Sequence, residues 1–319
     1  MSAHLACPEC RGSLARGPET LECARCGVFY PQHDGIAEFC ASDAFYEEYL
    51  DEHCPFVREP AAWKAAILRV LPYWSWREWK FFRKHVRPGA TILDLGCARG
   101  KEWFSSRGGF VAGVDPIRAP LAECAEHYDL VAQAEIVRLP FPDGVFDYVV
   151  TSHVLGHVPH EQKEAALSEI ARVLKTGGLS LNIIETDSTH RFVELGKSDS
   201  ELYRRNFVET DGHVGLELPS AVLDRFRSHG FSVVDVEKME SGVVHLRYYG
   251  KYLGKGYPAL VPAVRRRMRW WDRIEGNPVM LGAYEVAMGS YHRLVEPWRT
   301  SLDDAMFIAL AAVKERAAA

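Results

Sequence analysis

The chain lacks three features, and each absence excludes a class of protein. It contains no run of about 18 apolar residues, so no transmembrane helix is predicted. No basic segment followed by an apolar one comes after Met1, which makes a cytoplasmic location the expectation. Positive charge is not in excess: the net charge is −5, which argues against non-specific binding to nucleic acid.

Internal repeats and low-complexity tracts are also lacking. The 319 residues are 47% hydrophobic and 25% charged, which is ordinary for a soluble protein with a packed core. That length accommodates one large domain and additional elements.

Four of the eight cysteines form two C-x2-C pairs near the N-terminus, Cys7 with Cys10 and Cys23 with Cys26. Each pair presents two thiolates to one side of a tight turn, and two such pairs complete a tetrahedron. The spacing predicts a structural Zn²⁺ site with no open ligand position. Because residues 1–40 are too few for a core of their own, we expect a zinc ribbon there, folded by its metal. The remaining cysteines show no ligand spacing: Cys40, Cys54, Cys97 and Cys124.

The rest of the chain divides into two predicted parts. Residues 41–87 are aromatic and helical in pattern, and we interpret them as a helical linker or lid whose rings pack against the core. From residue 88 to 319, strands alternate with helices, which predicts a doubly wound α/β domain with a parallel sheet. Two segments, 186–218 and 240–302, interrupt this alternation and are predicted to be helical insertions.

The stretch "ILDLGCARGKEW", residues 92–103, predicts a cofactor loop between a strand and a helix. A second acid, Asp115, stands 21 residues after Asp94 and can accept hydrogen bonds from ribose hydroxyls. The carboxylate of Asp94 disfavours a pyrophosphate and suits the ammonium and sulfonium of S-adenosyl-L-methionine. Ala98 replaces a middle glycine, which is tolerable if its φ stays negative.

Several motifs in order carry a family resemblance. They are Asp94–Gly100, Asp115-Pro116, "AEIVRLPFPDGVFDYVVTSHVLGHV" and "EIARVLKTGGLSLNI". Together they resemble class I S-adenosylmethionine-dependent methyltransferases that act on small molecules, lipids and sugars. The resemblance implies a seven-stranded Rossmann-like methyltransferase sheet whose last strand is antiparallel. The first 40 residues resemble the zinc ribbons of methyltransferase activator proteins.

The resemblance also implies roles for individual residues around the cofactor. Asp94 and the loop residues would surround the methionine part of the cofactor. Asp115 and Pro116 would contact its ribose, and Glu135 and Ile136 its adenine. Thr151 and His153 would lie beside the cofactor. The loop residues concerned are Gly96, Cys97, Ala98 and Gly100.

Methyl transfer is an in-line displacement, and a hydroxyl acceptor usually needs a general base. The candidate bases are Glu185, at the end of a predicted strand, and His213, in the first insertion. His157 is a third candidate, because some related enzymes have a histidine pair here; Gly156 replaces its first member. We expect O-methylation of a small-molecule, glycan or lipid-linked acceptor.

The second insertion, 240–302, has ten Lys and Arg against five Asp and Glu. Its arginines and tryptophans can face an anionic acceptor, a membrane surface or a second copy in a homodimer; they are Arg265, Arg266, Arg267, Arg269, Arg273, Trp270 and Trp271. Two alternative functions stay open: an RNA methyltransferase whose ribbon binds RNA, and a non-catalytic scaffold. "TSHVLG" stands where enzymes that methylate RNA amines often have Asn/Asp-Pro-Pro-Tyr/Phe, which disfavours the first.

Overall fold

A computed structural model describes residues 5–42, 55–107, 109–254, 256–257, 260–299 and 301–315. Its strands are β1 Leu14–Arg16, β2 Thr20–Cys23, β3 Phe29–His33, β4 Ile36–Glu38, β5 Thr91–Leu95, β6 Phe110–Asp115, β7 Leu130–Gln133, β8 Phe146–Ser152, β9 Leu174–Glu185, β10 Phe231–Met239 and β11 Phe307–Lys314. Its α-helices are α1 Ala62–Val70, α2 Arg77–His85, α3 Glu102–Ser105, α4 Leu121–Cys124, α5 Lys163–Val173, α6 Arg191–Lys197, α7 Ser200–Tyr203, α8 Pro219–Ser228, α9 Val261–Glu275, α10 Pro278–Leu294 and α11 Glu296–Arg299.

The order of the strands determines where a ligand can bind. The central part of the sheet runs β7-β6-β5-β8-β9-β11-β10, with parallel pairing from β7 to β9 and β11 antiparallel to both of its neighbours. The chain therefore moves outward from β5 to β7, returns to β8 and continues in the opposite direction. In such sheets the ligand crevice lies outside the carboxyl ends of the strands at this reversal, here β5 and β8.

The predicted α/β sheet is confirmed, but the predicted number of strands is wrong. The described residues form eleven strands in one continuous order, because the N-terminal ribbon adds β1 to β4. Strand β4 pairs in parallel with β7, with Ala37 opposite Ala132 and Glu38 opposite Gln133. It thereby covers an edge of the central sheet that would otherwise expose unpaired backbone groups. Nothing in the ribbon's cysteine spacing indicates this pairing.

The alternation of strands and helices predicted after residue 88 is present. Strand β10 coincides with the whole of "FSVVDVEKM", and β9 begins at Leu174 and continues through Gly177-Gly178 to Glu185. Of the helical segment 41–87, the structure describes α1 and α2. The stretch 43–54, which includes Cys54, is outside the described residues.

The aromatic side chains around α2 support the packing interpretation. Trp74, Trp79, Phe81 and Phe82 are all buried, and three of them belong to a core cluster with Ile92 of β5. Trp63 of α1 is instead 69% exposed. The aromatic pattern therefore mainly reflects packing of this segment against the sheet.

Both insertions contain helices, as predicted. The first contains α6, α7 and a π-helical turn at Arg204–Glu209; the second contains a π-helical turn at Tyr249–Leu253, then α9, α10 and α11. Most of the arginines on α9 are exposed, while the Arg267 guanidinium lies 4.6 Å from the ring centre of Tyr249. None of the described helices has the length and apolarity needed to cross a membrane.

A buried carboxylate connects the ribbon to the central sheet. Glu169 of α5 accepts a hydrogen bond from Arg11 Nη2 at 2.7 Å and one from the Leu139 amide at 2.7 Å. Arg172, three residues away on the same helix, contributes a bond from its Nε at 2.7 Å. Positive groups outweigh burial here and lower the pKa of Glu169, so the carboxylate stays ionised.

We predict that Glu169→Ala lowers the free energy of unfolding by roughly 2–4 kcal/mol, because two guanidinium groups and a buried amide lose their acceptor. Chemical denaturation measures this. Glu161→Ala is a matched control, since Glu161 is exposed just before the same helix and its loss is expected to stay within about 0.5 kcal/mol. Equal losses in the two variants would contradict an anchoring role for Glu169.

Candidate functional site

Asp94 stands at the end of β5, where the strand enters the glycine loop, and its carboxyl group is fully buried. Its Oδ2 accepts a hydrogen bond from the Tyr128 hydroxyl at 2.8 Å and lies 3.7 Å from the Lys101 ammonium. Its Oδ1 has no hydrogen-bond partner among the described residues. Burial raises the pKa of Asp94. A buried acceptor oxygen without a donor suits a ligand that brings an N–H or a positive charge.

The loop after Asp94 holds three residues in the left-handed region of backbone space. Gly96, Ala98 and Gly100 have φ of 66°, 47° and 90°. A Cβ at Gly96 would lie 2.4 Å from the Val154 side chain, so the position requires glycine. A negative φ, the condition under which an alanine is tolerable at this position, is not met at Ala98. Its backbone N–H donates to Asp115 Oδ2 at 2.9 Å, and this hydrogen bond fixes Ala98 in a conformation that disfavours a side chain.

Asp115 joins the loop to the next strand-to-helix turn. Besides the Ala98 amide, it accepts a hydrogen bond from the Ile117 amide to Oδ1 at 2.9 Å. Burial raises the pKa of Asp115 to about 6, against the opposing effect of the two amides. Each carboxylate oxygen has further acceptor capacity, so the group can hold the loop and also bind hydroxyls.

The thiol of Cys97 does not take part in the loop surface. It is buried, and its Sγ lies 3.7 Å from Cys124 Sγ behind the loop. Only the backbone of Cys97 belongs to the loop, where its N–H donates to the Val114 carbonyl at 3.1 Å.

The predicted adenine corner lies next to the end of the ribbon. Glu135, which is exposed, and Ile136, which is half-buried, follow β7. The side-chain amide of Gln133 donates to the Pro116 carbonyl at 2.9 Å and to Ser42 Oγ at 3.0 Å. Residues 39–42 therefore pass beside Pro116, a neighbour that the sequence did not indicate.

Thr151 and His153, at the end of β8, have different surroundings. Thr151 is fully buried, and its hydroxyl donates to Asn182 Oδ1 of β9 at 2.8 Å. The imidazole of His153 bridges two carboxylates. Its Nδ1 is hydrogen-bonded to Glu185 Oε1, and its Nε2 lies 2.9 Å from Glu78 Oε1. Burial alone would lower the pKa of His153, but these carboxylates raise it to about 10. Their own pKa values fall to about 2, because His153 outweighs the effect of burial.

The three candidate bases lie together, although they come from distant parts of the sequence. One ligand-type atom each from His157, Glu185 and His213 lies within 4.8 Å of the other two, and the two imidazole centres are 4.9 Å apart. A Cβ at Gly156 would already be 3.1 Å from Glu185 Oε2. A histidine at position 156 would therefore displace Glu185, which explains why this chain lacks the first member of the pair.

Sequence reasoning missed the groups that support these candidates. Glu78 is the only acid in "YWSWREWKFFRKHV", and an isolated acid in an aromatic segment was a usable signal. Tyr128 and Lys101 contact Asp94 only through the fold, and no local pattern indicates them.

The four ribbon cysteines form a compact group. The Sγ atoms of Cys7 and Cys26 are 3.7 Å apart, those of Cys10 and Cys23 are 3.4 Å apart, and all four lie within 4.8 Å of one another. Tetrahedral zinc with Zn–S bonds of about 2.3 Å implies sulfur separations of about 3.8 Å. The Tyr30 oxygen lies 3.1 Å from Cys7 Sγ, as an outer hydrogen-bond donor to a thiolate would. The group is compatible with a zinc ribbon.

Comparison with known proteins agrees with this geometry. Residues 93–181 match the family model described as a methyltransferase domain. The demethylmenaquinone methyltransferase of Bacillus licheniformis is 31% identical over 138 residues, which are 40% of this chain and 58% of that protein. The tRNA (carboxymethyluridine(34)-5-O)-methyltransferase of Arabidopsis thaliana is 30% identical over 119 residues, 35% of this chain and 30% of that protein.

A transposon protein of 37.1 kDa from Streptomyces fradiae is 27% identical over 217 residues, 60% of each chain. A solved phosphoethanolamine N-methyltransferase 2 of Haemonchus contortus, in complex with S-adenosyl-L-methionine, superposes with a TM-score of 0.47 at 19% identity over 75% of this chain and 52% of that one. These matches span less than two thirds of each curated relative's length. Residues 93–181 of the chain are thus similar to a methyltransferase domain.

We predict that Ala98→Gly raises the free energy of unfolding by up to about 1 kcal/mol, because glycine adopts a positive φ without steric cost. Thermal and chemical unfolding measure the change. Ala119→Gly serves as the control, because Ala119 is exposed, lies nearby and does not have a positive φ. This control is expected to lower stability by roughly 0.5–1 kcal/mol. Destabilisation by both substitutions would show that Ala98 is not strained.

Proposed function

We propose that the protein transfers a methyl group from S-adenosyl-L-methionine to an oxygen atom of a small-molecule, glycan or lipid-linked acceptor. One observation carries this proposal: the glycine loop with Asp94 and the cluster of His157, Glu185 and His213 lie at the same edge of the sheet, at the carboxyl ends of neighbouring strands. A cofactor cradle and a proton-accepting group are thus side by side, as methyl transfer to a hydroxyl requires.

The residues present fit the cofactor. Asp94 Oδ1, which has no hydrogen-bond partner among the described residues, suits its ammonium, and the absence of a side chain at Gly96 lets the loop pack closely against Val154. Asp115 would hold the ribose of the cofactor, and Glu135 and Ile136 would hold its adenine. The residues next to the cofactor would be Pro116, Thr151 and His153. When bound, S-adenosyl-L-methionine supplies an electrophilic methyl group on a sulfonium, whose positive charge the buried carboxylates of this edge favour.

The acceptor side of the site needs a group that receives the hydroxyl proton as the new C–O bond forms. Glu185 is a weak base, because its carboxylate is already paired with His153. The imidazoles of His157 and His213 have the more suitable chemistry, and each is only partly buried, so an acceptor can reach them. We therefore assign proton uptake to this pair, with Glu185 orienting it.

The four ribbon cysteines are proposed to hold one structural Zn²⁺. The sulfur separations and the Tyr30 contact support this assignment, and all four positions around the ion are filled by thiolates. Because β4 pairs with β7, the ion stabilises an edge of the central sheet as well as the ribbon.

We predict that Asp115→Ala weakens S-adenosyl-L-methionine binding about 100-fold, since it removes both the ribose acceptor and the hydrogen bond that holds Ala98. Isothermal titration calorimetry measures this, with circular dichroism to verify folding. Asp147→Asn is the control, because Asp147 lies at the amino end of β8, away from the proposed site, and its affinity is expected to match the unaltered protein. A folded Asp115→Ala protein with unchanged affinity would place the ribose elsewhere.

We predict that His213→Ala and His157→Ala each lower kcat about 100-fold or more, while the Kd for S-adenosyl-L-methionine changes less than about threefold. The acceptor is first found by incubating the protein with a labelled methyl donor and fractionated cell extract. His160→Ala is the matched control, because His160 is exposed three residues from His157. An equal loss of kcat in the control would remove the assignment to the pair.

The relatedness to a tRNA methyltransferase makes RNA the second candidate acceptor. The same extract is therefore divided into RNA and small-molecule fractions. Label in the RNA fraction, with RNA binding that weakens steeply with salt, would favour the RNA methyltransferase. Absence of cofactor binding at millimolar concentration would favour the non-catalytic scaffold.

A further inference from the structure

The cluster of His157, Glu185 and His213 has a composition that goes beyond a general base. It contains two imidazoles and one carboxylate, from the loop after β8, the end of β9 and the first insertion. Ligand-type atoms of the three lie within 4.8 Å of one another. Two histidines and one carboxylate form a recurring donor set for divalent transition metals, with coordination positions left open.

The carboxylate provides an independent observation. Glu185 is 6% exposed, and its Oε2 has no hydrogen-bond partner among the described residues. Its other oxygen is paired with His153, which is held in turn by Glu78. The second oxygen is therefore fixed in a buried place beside two imidazoles, without a donor. A buried acceptor in this position is stabilised by a ligand that brings positive charge.

The two imidazoles are oriented as metal ligands usually are. His157 Nδ1 lies 3.2 Å from the Gly212 carbonyl oxygen, and His213 Nδ1 lies 3.3 Å from the Phe207 carbonyl oxygen. A carbonyl only accepts, so Nδ1 is the donor in each ring, and Nε2 is the ring nitrogen that can bind a metal ion. Metal-binding histidines characteristically donate their other ring N–H to a carbonyl in this way, which fixes both tautomer and ring direction.

We propose that His157, His213 and Glu185 bind a divalent transition-metal ion of the Zn²⁺ type, through the two Nε2 atoms and Oε2. This second metal site is separate from the ribbon cysteines, and its harder nitrogen and oxygen donors suit an ion that keeps exchangeable positions.

The role of the ion, unlike the site itself, rests on the proposed function. A bound ion would supply Lewis acidity that lowers the pKa of an acceptor hydroxyl at an open coordination position, with the proton passing to water. The acceptor oxygen would then take the methyl group as the carbon–sulfur bond breaks, and the sulfur would keep that electron pair as a neutral thioether. With the ion bound, His157 and His213 would be its ligands, and the proton uptake assigned to them above would apply to the protein without the ion. Acceptors whose oxygen binds metals, such as phenols and diols, are favoured.

The test is the metal content of the full-length protein, which needs neither acceptor nor cofactor. The protein is stripped with a chelator, reloaded with Co²⁺ or Zn²⁺, desalted and analysed by mass spectrometry of the metal. Two ions per chain are expected. His213→Ala and Glu185→Gln are each expected to lose one ion, whereas His160→Ala keeps both. Cys23→Ser is expected to lose the other ion and keep the one at the histidines.

The cobalt spectrum separates the two sites. The ribbon ion gives an intense thiolate-to-cobalt band, which Cys23→Ser removes. The second ion gives weak visible bands, which His213→Ala removes while the thiolate band stays. One ion per chain in the unaltered protein, or a second ion that persists in both His213→Ala and Glu185→Gln, would overturn the metal site. Thermal unfolding of each variant shows whether an ion was lost through misfolding, and His157→Ala replaces any variant that fails this check.

Methyl transfer is measured on the same samples. A protein with two ions and no transfer to any fraction would contradict the proposed function and leave the metal site standing. Transfer that is unaffected by removal of the second ion would overturn the metal's role and return the proton to the imidazoles.

Discussion

The carboxylate of Glu185 is the interaction on which the arrangement of the site depends. One oxygen pairs with the imidazolium of His153, and an oxygen of the same carboxylate lies within 4.8 Å of ring nitrogens of His157 and His213. The pairing requires the imidazole of His153 to be charged, and a second carboxylate, Glu78, keeps it so. Through this chain of charges, helix α2 and the ends of β8 and β9 are held in one geometry. Desolvation makes each pair strong and makes the loss of any single partner costly.

The ribbon is part of the same architecture. Its last strand pairs with β7, and the residues that follow pass beside Pro116 and Gln133, next to Asp115. A partly buried thiol in this passage, Cys40, has a pKa raised to about 12 by desolvation, with the carboxylates of Glu135 and Asp115 adding to the effect. The proposed zinc ion therefore acts at a distance on the predicted ribose and adenine corner, because it holds the strand that covers this edge.

Much of this arrangement could be predicted from the sequence, because its signals are local. The cysteine spacing and the strand–glycine loop–helix pattern each depend on a few neighbouring residues, and the structure contains a compact cysteine group and a loop after β5. The sequence also selected Glu185, at a strand end where ligands bind, and His213, in the first insertion, and the structure brings the two together.

What the sequence did not predict depends on contacts between distant segments. The φ of Ala98 is positive because an acid 17 residues away accepts its N–H, and no property of the loop itself reveals that. The four ribbon strands join the central sheet because β4 pairs with β7, whose edge is otherwise unpaired. Glu78 contacts His153 from a helix whose aromatic pattern predicts only packing against the core.

Three buried carboxylate oxygens lack donors among the described residues, and two of them, Asp94 Oδ1 and Glu185 Oε2, lie at the carboxyl ends of β5 and β9; the third is Glu240 Oε1. Burying each of the two strand-end oxygens without a donor costs desolvation free energy. A ligand that brings a donor or a positive charge to the oxygen would offset that free energy. The ammonium of the proposed cofactor at Asp94 and the proposed cation at Glu185 would supply the missing positive charge at these two oxygens.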